Sequence, residues 1–332
     1  MGRITIRDVA KAAGVSASAV SRVFTEGASA SAATRARVNA AAKELGYRPN
    51  ALARALVGER TNLVGLVIGQ ARNVFDSLFL EALADALARH GKNLLISLVH
   101  GEAAVDEGMM SALDYQADAV VVAAGTVPLA TSERCLRLGV PIILCGRVLE
   151  RRGVDCILGD NRDGARQAAE LLVRGGCRRI AYLGRGPAAF SDAEREEGLR
   201  EALSRLGLSP VATTTVDPDN DHGFAAATSL LSARQRPDAI FCGTDLIALG
   251  VLETARALGL RVPEDVAVVG FDNVPMSAWP SFRLTTVDFP IAPTAEAVVE
   301  RIQARLADPD LPAIVRRIPT RLVARATTRR IA

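Results

Sequence analysis

The chain has 332 residues, 49% hydrophobic and 23% charged, with a net charge of +3. That composition excludes wholesale disorder and fits two or three domains of ~100–200 residues. No apolar run reaches the ~18 residues of a membrane helix, and residues 1–8 lack the apolar core of a secretory signal, so a soluble cytoplasmic protein is expected.

Five cysteines, at 135, 145, 156, 177 and 242, form no CxxC pair, and His90, His100 and His222 are scattered, so no disulfide framework, metal site or cofactor is expected. Residues 1–60 carry ten cations against four anions, whereas the other 272 carry thirty against thirty-three. A small basic head on a mildly acidic body is the footprint of a nucleic-acid module, although charge alone fits a solvated surface as well.

In chain order, Thr5-Ile6-Arg7-Asp8 reads as a capping box, and Ile6, Val9, Ala10 and Ala13 share one helical face. Gly14 ends that helix. Ser16 starts a second, Ala17 to Phe24, with Val20, Val23 and Phe24 inward and Ala17, Ser18, Ser21 and Arg22 outward. Two short helices joined by a glycine-containing turn predict helix-turn-helix geometry. Ser31 caps a third helix, with Val38, Ala41, Ala42 and Leu45 inward, and Gly46 stops it. Asn50 caps a helix of about two turns, too short to be stable alone and suited to folding on a partner.

The run from Thr5 to Val23, T-I-R-D-V-A-K-A-A-G-V-S-A-S-A-V-S-R-V, is followed by T-R-x-R-V-x-x-A-x-x-E-L-G-Y-R-P-N-x-x-A-R-x-L. These motifs resemble the head of the lactose-repressor (LacI) family of bacterial transcription regulators. The resemblance places Ala17, Ser18 and Arg22 at base-reading positions, where an arginine suits guanine O6 and N7 and alanine a thymine methyl. It implies phosphate contacts for Thr5, Ser16, Ser21 and Asn50. It puts Ala53 in the DNA-contacting hinge helix, and makes Leu56 the wedge that enters the minor groove and kinks the duplex. Taken without the motif, Leu56 would be an ordinary packing residue.

From Asn62 short apolar runs alternate with helical ones. Strands are predicted at Leu63–Ile68, Leu94–Val99, Ala119–Ala123, Ile142–Cys145 and Cys156–Leu158, and again at Ile180–Leu183, Val211–Val216, Ala239–Cys242, Val266–Gly270 and Leu284–Val287. Helices are predicted at Ser77–Arg89, Val105–Tyr115, Gly164–Val173, Glu194–Leu206, Gly223–Ser232 and Leu246–Leu258. Ten strands in two groups of five predict two α/β lobes with covered parallel sheets, binding ligand at the carboxyl ends of the strands.

The resemblance continues through Gly159-Asp160-Asn161, Asp245 with Ala248-Leu249-Gly250, Val262-Pro263-Glu264 and Val269-Gly270-Phe271-Asp272, and so covers essentially the whole chain. It implies an N-terminal all-α helix-turn-helix head with a hinge helix, then an α/β periplasmic-binding-protein-like core of two parallel-sheet lobes. The implied domains are 1–47 (head), 48–61 (hinge helix and linker), 62–160 with 291–319 (N-terminal lobe), and 161–290 with 320–332 (C-terminal lobe).

It also implies effector contacts at Arg72, Phe75, Arg147, Arg195, Thr244, Asp245 and Asp272. Three departures from the family pattern bear on the ligand. Thr244-Asp245 replaces Asn-Asp, Gly146-Arg147 replaces Asp-Arg, and the loop Gln70 to Phe75 adds Arg72. More arginine and one carboxylate fewer predict an anionic effector, a sugar acid or sugar phosphate, with a neutral sugar as the competitor. Each position has a plainer role available. Arg147 could pair with a carboxylate, Arg72 could face solvent, Asp245 could cap a helix from Leu246, and Phe75 or Trp279 could be core.

The expected protein is thus a homodimeric repressor reading a pseudo-palindromic operator under effector control, with no enzymatic activity. A cytoplasmic ligand-binding protein without DNA work is the alternative, against which the head stands. A Rossmann enzyme is a second, and no G-x-G-x-x-G follows the first strand.

Overall fold

A computed structural model describes residues 4–24, 28–48, 60–69, 74–100, 104–125, 127–216 and 223–329. The chain divides into two compact units, Met1–Thr61 and Asn62–Ala332. Among the described residues no helix is long and apolar enough to cross a membrane.

In the first unit, α1 (Ile6–Ala13) begins where the Asp8 carboxylate accepts the Thr5 N–H (2.8 Å) and hydroxyl (2.7 Å). Gly14, at φ 64°, lets the Val15 N–H reach back to the Ala10 carbonyl (3.0 Å), which closes the helix. Helix α2 (Ala17–Phe24) starts with the Ser16 hydroxyl accepting the Ala19 N–H (3.2 Å). Helix α3 (Ala32–Leu45) starts with Ser31 accepting the Thr34 N–H (3.2 Å). Val9, Val20 and Val38 are fully buried at the centre of the three helices. Arg35, on α3, donates to the carbonyls of Val23 (3.0 Å) and Ala28 (3.3 Å), so it clamps the end of α2.

The second unit runs β1 (Leu63–Gly69), α4 (Val74–Arg89), β2 (Asn93–Val99), α5 (Val105–Asp114), β3 (Ala119–Val122), α6 (Leu129–Arg137), β4 (Ile142–Cys145) and β5 (Val154–Gly159). Then come α7 (Asn161–Arg174), β6 (Ile180–Gly184), α8 (Phe190–Arg205), β7 (Ala212–Thr215), α9 (Phe224–Ser232), β8 (Ala239–Cys242), α10 (Asp245–Ala257) and β9 (Ala267–Asp272). A 3₁₀ turn (Pro275–Ala278), β10 (Thr285–Asp288), α11 (Ile291–Ala307), β11 (Val315–Ile318) and β12 (Arg321–Val323) complete it.

Two six-stranded sheets result, ordered β11-β5-β4-β3-β1-β2 and β12-β10-β9-β8-β6-β7. All pairings are parallel except β10 with β12. Each sheet therefore has one strand more than the expected five. The added strands, β11 and β12, are polar edge strands on which Val315, Arg316, Arg317 and Arg321 are exposed. Interior strands such as β3 and β8 are buried at every position, because helices cover both faces. The chain moves from the first sheet to the second at Asp160, back after β10, and over again between β11 and β12. Helix α11 packs with Val64, Leu66 and Leu83 in the first lobe, whereas α7 packs with Tyr182, Phe241 and Phe271 in the second.

Candidate functional site

On the head, the exposed side of α2 carries Ser18 and Arg22, with Ala17 and Ser21 half-buried beside them. Arg22 makes no hydrogen bond or ion pair among the described residues, so its guanidinium is presented to solvent. Ser16 is exposed and shares a 2.9 Å hydrogen bond with the Ser18 hydroxyl. Thr5, also exposed, stands at the start of α1. Asn50, Ala53 and Leu56 lie outside the described residues.

In the second unit a cavity of about 680 Å³ opens where strands of both sheets end. Gly69 ends β1, Cys145 ends β4, Arg185 follows β6, Thr244 follows β8 and Asp272 ends β9, and all five line it. The topology thus gathers strand ends of both sheets around one crevice, the position at which open parallel sheets hold ligands. Phe75, Phe79, Phe190 and Phe289 make aromatic wall, and Phe75 meets Phe289 edge-on at 4.9 Å. Cys145 is another wall residue, its thiol pushed up to about 12 by burial, so it offers no thiolate nucleophile.

Arg195 is the most constrained cation of the site, at 4% exposure. Its Nε donates to Asn161 Oδ1 (2.9 Å), Nη1 to the Gly243 carbonyl, and Nη2 lies 3.5 Å from Asp272 Oδ1. The guanidinium sits 3.7 Å over the Phe271 ring. Asn161 in turn donates from Nδ2 to Glu194 (3.0 Å), and Glu194 receives Arg317 at 2.6 and 3.1 Å. Arg317 is on β11 of the first sheet, so an unbroken chain of bonds joins that lobe to the cavity arginine of the other. A second link between lobes is the Ser191 hydroxyl, which donates to the Gly146 carbonyl (2.8 Å).

Asp272 has φ 109°, a conformation that side-chain-bearing residues rarely adopt and that clusters at functional sites. Burial pushes its carboxyl up to about 6, against the pull of Arg195 and Arg185. A carboxyl raised above its ordinary 3.8 stabilises the fold when protonated, and that stability is lost as pH rises through about 6. The full effect is about 3 kcal/mol. We expect urea unfolding to show Asp272→Asn losing less stability than the unsubstituted chain between pH 4 and pH 7. An equal loss in both proteins would remove Asp272 as the source.

Of the other expected effector contacts, Phe75, Arg147 and Thr244 line the cavity, and Arg72 lies outside the described residues. Thr244 also caps α10 by accepting the Ile247 N–H (3.3 Å). Asp245 does not line the cavity. It is fully buried, accepts the Val274 N–H (2.9 Å) and the Thr286 hydroxyl (2.5 Å), and so braces the loop after β9 behind Asp272. Burial and the charge of Asp272 hold its carboxyl well above the usual range. Trp279 is outside the cavity too, 54% exposed and stacked on Phe282. Sequence reasoning passed over Asp76, Phe79, Arg185, Phe190, Ser191, Phe289 and Thr294. Arg185 is the accessible one, since it stands two residues beyond the ligand-facing end of the strand predicted at Ile180–Leu183.

The family model for bacterial regulatory proteins, lacI family, matches residues 5–50, and the periplasmic binding protein-like domain matches 169–328. The chain is 33% identical to the HTH-type transcriptional regulator GalR of Escherichia coli strain K12, over 97% of this chain and 94% of that protein. It is 30% identical to the ribose operon repressor of Halalkalibacterium halodurans, over 98% and 97%. Its fold matches the lac repressor dimer bound to operator and the anti-inducer ONPF with a TM-score of 0.88 and 27% identity, covering 99% of this chain and 100% of that one.

Proposed function

The chain belongs to the lacI family of bacterial regulatory proteins, and from that premise we propose that a sugar acid or sugar phosphate is the effector that moves its affinity for operator DNA. It is a DNA-binding transcriptional regulator of the repressor type and not an enzyme. It acts on a two-fold symmetric operator as a homodimer, because one head reads only a half-site. In this reading 1–47 is the DNA-reading domain and 48–61 the hinge helix and linker. Residues 62–160 with 291–319, and 161–290 with 320–332, are the two effector lobes. Leu56 is the minor-groove wedge. Ala17, Ser18 and Arg22 read bases, Thr5, Ser16, Ser21 and Asn50 hold phosphates, and Ala53 contacts DNA from the hinge helix.

The observation that carries the anionic reading is the lining of the cavity. Three guanidinium groups, Arg147, Arg185 and Arg195, stand there against two carboxylates, Asp76 and Asp272. Neutral sugars are the second reading, favoured by Asp272 beside the hydroxyls of Ser191, Thr244 and Thr294, which suit a polyol, and by a relative named for ribose.

Thermal melting against matched neutral sugars, aldonic and uronic acids and sugar phosphates separates the two. A ligand at ~100 times its Kd adds ~2.7 kcal/mol, which raises Tm by several degrees. We expect the shift with acids or phosphates. A shift with neutral sugars alone would overturn the anionic reading and leave the regulator intact.

A further inference from the structure

Arg185 follows β6 and lines the cavity. Its Nε is buried from solvent and has no hydrogen-bond acceptor among the described residues. This sets it apart from Arg195, which Asn161, Gly243 and Asp272 occupy. A buried, unpartnered donor on a cation is costly, and such groups in folded proteins call for a function.

The loop that carries Arg185 is held in place. The Gly186 N–H donates to Asp192 Oδ2 (3.1 Å), and Asp192 is fully buried behind the loop. A Cβ at Gly184 or Gly243 would collide with that carboxylate, so both glycines are needed to seat it. The backbone bearing Arg185 is therefore fixed before a ligand arrives, while its Nε has no protein acceptor and its charge reaches Asp272 only at a distance. A planar fork of N–H donors matches a carboxylate or phosphate.

We propose that Arg185 is the anion receptor of the cavity, taking the carboxylate or phosphate group of the effector. The sugar ring then lies among Phe75, Phe79 and Phe190, with its hydroxyls toward Asp272 and Arg195. This rests on the reading of the effector as an anion, and it names the residue that makes the distinction.

The test uses the full chain, with inorganic phosphate and sulfate as probes against chloride at equal ionic strength. Thermal melting is followed for the unsubstituted protein, Arg185→Gln, Arg185→Lys and Arg147→Gln. Oxyanions held by the basic head contribute equally to all four, so differences report the cavity. We expect oxyanion stabilisation whose apparent affinity drops at least tenfold in Arg185→Gln, is partly kept in Arg185→Lys, and changes less in Arg147→Gln. Sugar acids and sugar phosphates, run in parallel, tell which anion the site prefers. Undiminished stabilisation of Arg185→Gln overturns the proposal and spares the anionic reading; if Arg147→Gln loses it instead, the anion belongs to Arg147. No oxyanion stabilisation of the unsubstituted protein overturns both.

Discussion

An Arg195→Lys chain is expected to bind its operator and to stop responding to the effector. Arg195 lines the cavity and belongs to the chain of bonds that joins the two lobes. Its fork holds Asn161 and Gly243 and leaves Nη2 beside Asp272 at 3.5 Å. Lysine keeps the charge but loses the planar stack on Phe271 and the simultaneous grip on three acceptors. A hydrogen bond to a charged group is worth ~1.5–3 kcal/mol, so losing one to the effector lowers its affinity by at least ~10-fold. The melting temperature falls by a few degrees, because Asn161 and Gly243 lose their donors. The head folds around its own core of Val9, Val20 and Val38, so operator affinity without effector stays within a few-fold. Repeating the titration with Glu194→Gln tests the route of coupling. Glu194 bridges Asn161 to Arg317 on the first sheet, so this variant should retain more ligand affinity than Arg195→Lys while losing response. A normal response in Arg195→Lys would contradict the assignment.

The second large effect is expected at Arg22. It is exposed on α2, a helix whose other side is locked by Val20 and Val23. A bidentate contact to guanine is worth ~1–3 kcal/mol, and a symmetric dimer makes it twice. Arg22→Gln should therefore weaken binding to the preferred duplex at least ~30-fold, by the ~2 kcal/mol lower bound for two half-sites. Glutamine pairs with adenine, so the favoured base at that position should move from guanine toward adenine. Binding to arbitrary duplex and its salt dependence should barely change, since phosphate contacts set those. If instead affinity fell equally for all sequences with a shallower salt slope, Arg22 would be a phosphate contact.

Much of the fold is legible before any coordinates. Strands such as Ala119–Val122 and Ala239–Cys242 are apolar at each position because both faces are covered, and the glycines at 14 and 46 mark real helix ends at φ 64° and 65°. Strands β11 and β12 are not legible. Val-Arg-Arg-Ile has no apolar run, and only its neighbour β5 makes a strand of it. Helix α11 is absent from the predicted elements although it is 17 residues long.

At the site the pattern is similar. Arg195 and Asp272 come through the motif resemblance. Asp245 has the same chemistry as Asp272 in sequence, yet tertiary packing turns one into a brace and leaves the other at the cavity. Arg185 sits between two glycines and gains meaning only when the first lobe faces it across the crevice. Ser191 likewise gains its partner, Gly146, from the other sheet.

The most direct test of the central claim is a fluorescence-anisotropy titration of the full chain. The duplex is one selected by the protein from a random pool at moderate salt, titrated with and without the sugar acid or phosphate that raises Tm. The account predicts a two-fold symmetric duplex bound with strong salt dependence, and an affinity that the effector changes by at least tenfold, a coupling of ~1.4 kcal/mol. Failure to select any symmetric site, or an operator affinity indifferent to every ligand that stabilises the core, would contradict it.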